Sequence, residues 1–137
     1  MRRLVLVCLL IGLLGIVGCG LDEGFEPPLQ TDTLAGMWAG TWRSSAGPDR
    51  GRMTLDLETT DEQRLHGTMT LTGSPCVQRL DLTAELQGVS LSGDARTARD
   101  RVLFFGELSG DRGTLAGQYT VVRGQCAGDN GQWSVEQ

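Results

Sequence analysis

The sequence predicts an all-β protein, a single antiparallel up-and-down barrel of eight short strands, with a two-sheet β-sandwich as the alternative. Three observations carry that expectation. From Leu34 onward apolar and polar residues alternate with period 2, glycines and acidic turns interrupt the alternation about every ten residues, and no eleven-residue stretch keeps a helical stripe. Meandering strands that bury one face can remove their exposed edges by closing into a barrel.

The first strand is expected over Gly36 to Ser44. In the second, Arg52 to Glu58, Met53, Leu55 and Leu57 face one side while Thr54, Asp56 and Glu58 face the other, as in a strand with one wet face. Around a turn at Asp61-Glu62, Leu57 is expected opposite Leu65 and Leu55 opposite Gly67. That register sets Asp56 against His66 and Glu58 against Arg64, making the single histidine a cross-strand surface partner. Around a two-residue turn at Gln87-Gly88, Leu86 pairs with Val89, Ala84 with Leu91 and Leu82 with Gly93, leaving Glu85 opposite Ser90. Around Gly110-Asp111-Arg112-Gly113 the inward pairs are Leu108 with Leu115, Gly106 with Gly117, Phe104 with Tyr119 and Val102 with Val121. Gly131 to Glu136 supplies the last strand. Inward glycines at positions 40, 67, 93, 106 and 117 suit tightly curved strands.

Ahead of this domain, Arg2 and Arg3 precede an apolar run, Leu4 to Val17, that ends in Gly18 and Cys19. A basic start, a short apolar region and a small residue form the pattern of a signal peptide. The run is shorter than the roughly 20 apolar residues that span a bilayer as a helix. Ile16-Val17-Gly18-Cys19 resembles the bacterial lipobox. That resemblance implies removal of residues 1–18 and a diacylglyceryl group on Cys19, with further acylation by a fatty acid such as palmitate. Gly20 rather than Asp after the cysteine implies, by the enterobacterial sorting rule, the periplasmic face of the outer membrane rather than the inner membrane. Residues 19–33 read as the lipidated cysteine and an acidic Gly/Pro-containing linker, and residues 34–137 as the barrel domain.

Once Cys8 is removed and Cys19 lipidated, Cys76 and Cys126 remain, and an exported environment favours a disulfide between them. They fall in the third and seventh connections, which lie at the same end of an up-and-down barrel. A bridge closing 50 residues stabilises by about 4 kcal/mol in the chain-entropy view. Two thiols and one histidine are too few for a zinc site, so no metal or other cofactor is expected. Residues 19–137 carry ten arginines against 17 carboxylates, a net charge of −7, which argues against nucleic acid as a partner.

Leu34-Ala35-Gly36-Met37-Trp38, followed by Gly40-Thr41-Trp42, resembles the Gly-x-Trp opening of the calycin group of lipocalins and avidins. Gly117-Gln118-Tyr119 and Gly131-Gln132-Trp133 are similar to the Gly-x-aromatic repeats of its avidin-like members. The last strand lacks the arginine that often covers the first-strand tryptophan in those families. The chain is also similar to small exported β domains of bacteria that have no assigned activity.

These observations order the function classes. Polar side chains alternate outward, and no convergent nucleophile, phosphate loop or calcium loop is visible, so the domain reads as non-enzymatic. The leading expectation is a membrane-tethered binding domain that meets an envelope partner through an outward patch of Leu103, Phe105 and Val122. The alternative implied by the calycin resemblance is a carrier that holds a small hydrophobic ligand among Trp38, Trp42, Phe104, Tyr119 and Trp133, although a core filled by its own side chains is expected ahead of it. A second alternative is a periplasmic protease inhibitor, since small barrel inhibitors of bacterial metalloproteases are similar in size and share Gly-x-Trp and one disulfide.

Overall fold

The computed structural model describes residues 29–137. The lipobox, Cys19 and most of the linker lie outside that range. Eight antiparallel strands follow one another around a closed barrel: β1 Gly36–Ser44, β2 Arg50–Thr59, β3 Arg64–Leu71, β4 Arg79–Gln87, β5 Ser90–Arg96, β6 Arg101–Leu108, β7 Thr114–Arg123 and β8 Asn130–Glu136. The last strand pairs back onto the first from Ala39↔Glu136 to Ser44↔Gly131, which closes the sheet and removes its edges. The sandwich alternative is thereby set aside.

Alternation builds the core. In β4, Leu80, Leu82, Ala84 and Leu86 are buried while the residues between them are exposed. The same pattern runs through β6 and β8, so each strand contributes one apolar face to a single interior.

Two registers differ from the sequence expectation, each by two residues. In β2 and β3, Leu57 stands opposite Gly67, Leu55 opposite Met69 and Glu58 opposite His66, so Asp56 meets Thr68 instead of the histidine. Asp61 is the cause: its carboxylate accepts the amides of Gln63 and Arg64 at 3.0 and 2.9 Å, while the Thr60 amide reaches the Arg64 carbonyl at 2.9 Å. This Asx turn moves the centre of the hairpin along by one residue. In β4 and β5, Leu86 pairs with Leu91, Ala84 with Gly93 and Glu85 with Ser92. The turn is Gly88-Val89, with Gly88 at φ 62°, as a II′ turn requires of its first central residue. Val89 is therefore exposed at the tip and does not point inward. A two-residue shift keeps the side-chain parity, so the other inward residues remain inward. The β6–β7 pairs follow the expected register throughout.

The two ends of the barrel differ. The even-numbered connections gather at one end, which is plugged: Leu34 and Trp38 are fully buried, and the Trp38 indole donates to the Leu34 carbonyl at 2.9 Å. A 3₁₀ turn at Thr31–Thr33 covers this end, with buried Thr31 donating its hydroxyl to the Asp61 carbonyl at 2.6 Å. Leu29 also packs against the core. Residues 29–33, read from composition as linker, are thus part of the barrel's packing, because the end of a short barrel needs an apolar cover.

At the opposite end the third and seventh connections are joined by the Cys76–Cys126 disulfide, with Cα atoms 6.0 Å apart. This distance is within the normal range for a bridge.

Candidate ligand cavity at the open end of the barrel

The disulfide end of the interior is not filled by side chains. A cavity of about 390 Å³ opens there. Trp42 from β1, Met53 from β2, Met69 from β3, Val102 from β6, Tyr119 and Val121 from β7 and Trp133 from β8 form its walls. Residues of the first, third and seventh connections form its rim, among them Ala46, Asp49, Val77, both bridged cysteines and Asp129.

Small residues position the aromatic walls. A Cβ on Gly93 would collide with the tip of the Phe104 ring, and one on Gly106 would stand 2.6 Å from the Trp133 ring. The glycines therefore admit two large rings side by side. Phe104 meets Trp133 edge-on at 6.2 Å. Trp42 and Tyr119 make a second edge-on pair at 6.1 Å. Both lining tryptophans spend their N–H groups on the wall itself, Trp42 on the Thr72 carbonyl at 3.0 Å and Trp133 on the Gln118 carbonyl at 3.1 Å.

The polar groups cluster on one side. Asp129 accepts the Tyr119 hydroxyl at 2.9 Å and the Ser44 hydroxyl at 2.5 Å, one on each carboxylate oxygen. Burial pushes the Tyr119 phenol well above its usual range, and the hydrogen bond to Asp129 and that residue's negative charge push it the same way. Asp49 adds to the negative field from the first connection.

Of the residues expected to line a ligand interior, Trp42, Tyr119 and Trp133 come together here. Trp38 and Phe104 do not line the cavity. Trp38 belongs to the plugged end, four residues along β1 from Trp42, which places the two rings about 13 Å apart along the strand. Phe104 is buried, opposite Tyr119 and edge-on to Trp133. The expectation of a fully filled core therefore holds for one half of the interior only. The polar side of the cavity, Ser44, Asp49 and Asp129, escaped sequence reasoning. The available signal was the position of Asp129 three residues after Cys126, in a connection that the bridge fixes at this end.

Leu103, Phe105 and Val122 do point outward, at 39%, 53% and 43% exposure, from neighbouring strands. His66 stays on the outer face between Glu58, 3.1 Å from its Nε2, and the Thr60 hydroxyl, 2.8 Å from its Nδ1. Among the described residues no group of three or more His, Cys, Asp or Glu side chains is placed to hold a metal ion.

No known protein family and no curated protein matches the chain. Solved structures do match it. A redesigned β-barrel superposes with a TM-score of 0.61 at 11% identity, covering 79% of this chain and 94% of the other. EF1p2_mFAP2b bound to DFHBI gives 0.59 at 8% identity, over 79% and 96% of the two chains. A de novo designed fluorescence-activating β-barrel gives 0.57 at 11% identity, over 80% and 99%. At these identities the likeness establishes the fold, a small closed β-barrel.

Proposed function

We propose that this chain is a lipid-anchored protein of the bacterial cell envelope whose barrel binds a small, largely apolar ligand through its open end, without catalysing a reaction on it. The observation that carries the reading is the cavity of about 390 Å³ at the disulfide end. Pockets that hold small molecules measure about 300–1,000 Å³ and combine apolar walls with a few placed polar groups. Here the walls are Trp42, Met53, Met69, Val77, Tyr119 and Trp133, and the polar side is Asp129 with Ser44. The bridge between two rim connections holds the entrance in shape, which lowers the entropy lost when a ligand enters. Among similar folds, EF1p2_mFAP2b is bound to DFHBI, so a barrel of this kind can carry a ligand. The anchor rests on Ile16-Val17-Gly18-Cys19 behind a basic, apolar start.

Titrating small hydrophobes into the non-lipidated Cys19→Ser protein should change its tryptophan fluorescence saturably, with micromolar affinity. Trp42→Ala should weaken that response at least tenfold. Phe105→Ser should leave it intact. A second reading, capture of an envelope protein through Leu103, Phe105 and Val122, is favoured by the exposure of those three side chains. It gains if no hydrophobe saturates the protein while Phe105→Ser removes a partner from crosslinking pull-downs.

A further inference from the structure

The side chains of the cavity are rich in acceptors and poor in free donors, and this imbalance restricts what it can hold. Five lining side chains can donate a hydrogen bond: Trp42, Ser44, Ser74, Tyr119 and Trp133. Four of them already donate to protein acceptors, the tryptophans to backbone carbonyls and the two hydroxyls to Asp129. Ser74 accepts the Cys76 and Val77 amides and retains its proton. Among the rim amides, Gly128 donates to the Val121 carbonyl at 2.8 Å and Asp129 to the Cys126 carbonyl at 3.0 Å.

On the acceptor side stand two carboxylates, Asp49 and Asp129. Each Asp129 oxygen accepts one hydrogen bond and keeps further lone-pair capacity. Among the described residues no arginine or histidine lines the cavity, and the chain has no lysine. An anionic ligand would meet two like charges, no cationic side chain and a single uncommitted side-chain donor, Ser74. A neutral hydrocarbon would strip water from the remaining lone pairs of the Asp129 carboxylate and leave its charge balanced only by the two neutral hydroxyls, which is unfavourable for a charged group. A cation would satisfy it, and the electron-rich faces of Trp42, Tyr119 and Trp133 add attraction for a positive charge.

We infer that the ligand is a small organic amine: an apolar body seated against the methionines and tryptophans, with an ammonium group on Asp129 and within the field of Asp49. This assignment rests on the reading of the cavity as a ligand site and names the ligand class for it.

Three naphthalene compounds of nearly equal shape separate the possibilities: 1-naphthylmethylamine, 1-naphthalenemethanol and 1-naphthoate. Each is titrated calorimetrically at pH 7 into the full protein held in phospholipid nanodiscs, against empty nanodiscs. The amine should bind about ten- to a hundredfold more tightly than the alcohol, and the acid most weakly. Asp129→Asn, which keeps an acceptor oxygen for one of the two hydroxyls and offers its NH2 group to the oxygen of the other, should reduce the amine's advantage over the alcohol to a few-fold. Asp49→Asn, on the exposed rim, should reduce it less and serves as a variant whose folding is not at risk. If the alcohol or the acid binds as tightly as the amine, or if the amine's advantage survives both substitutions, the amine assignment falls while the cavity reading stands. If none of the three binds, the cavity reading falls with it.

Discussion

Tyr119 is the chain's only tyrosine, so its phenol can be followed by absorbance without interference from another. Its ordinary pKa is about 10. Burial raises it, with the hydrogen bond to Asp129 next in importance. A folded-state value above the unfolded one means that this contribution to stability is complete below about pH 10 and is lost as pH rises through the folded value. The native protein should therefore show no phenolate absorbance at pH 10, and its unfolding in alkali should coincide with or precede the phenolate signal. Asp129→Asn should lower the midpoint without bringing it to the ordinary value, because burial remains. A wild-type midpoint at pH 10 would contradict the geometry of the Tyr119–Asp129 pair. At this scale the sequence was half legible. Tyr119, Trp42 and Trp133 could be placed inward by parity, but parity does not say at which height along the barrel a ring sits. Trp38 and Trp42 share one face of β1 and yet serve opposite ends, one in a plug and one in a wall.

Hairpins show why inward residues were legible when registers were not. Displacing a hairpin's centre by one residue changes every pairing by two positions, which leaves each side chain on the same face. Alternation thus reports the face, while the register is set by turn chemistry, at Asp61 through its carboxylate and at Gly88 through its positive φ. The plug escaped for a related reason: Leu29, Thr31 and Leu34 surround a single turn of 3₁₀ helix, too short for any periodicity to register. Packing across elements can be tested at Gly93 and Phe104. Gly93→Ala should cost about 1–3 kcal/mol because its methyl collides with the tip of the Phe104 ring. Combined with Phe104→Leu, the loss should be smaller than the sum of the single changes, as measured by urea denaturation. Strict additivity would mean that the ring does not lie over Gly93. The bridge supplies a second test between elements. Replacing Cys76 and Cys126 together by serine should lower stability by about 2–4 kcal/mol, read in the same assay.

For the whole molecule, what matters is that the chain enters at the plugged end and the cavity opens at the other. Thr31 is fixed to the Asp61 carbonyl and Leu34 lies beneath Trp38, so the last anchored residues before β1 sit with the even-numbered connections. The rim of the cavity, with Ala46, Cys76 and Asp129, lies across the length of the barrel. Strands of 7 to 10 residues, tilted as in small barrels, separate the two ends by about 20 Å. If Cys19 carries the lipid, the ten residues from Cys19 to Pro28 can extend at most about 35 Å, and they lead to the plugged end. The anchored barrel should then present its open end away from the membrane, toward ligands that arrive through the aqueous compartment. Cys19→Ser should first abolish metabolic labelling with a fatty acid and release the protein from membranes. In the lipidated protein reconstituted in vesicles, a fluorophore at Glu62→Cys, in the connection that holds Thr31, should be quenched by brominated headgroup-region lipid more strongly than one at Ala46→Cys on the rim. Equal quenching at the two sites would mean that the tether sets no orientation. Stronger quenching at Ala46 would place the cavity against the bilayer, making the membrane itself the source of the ligand.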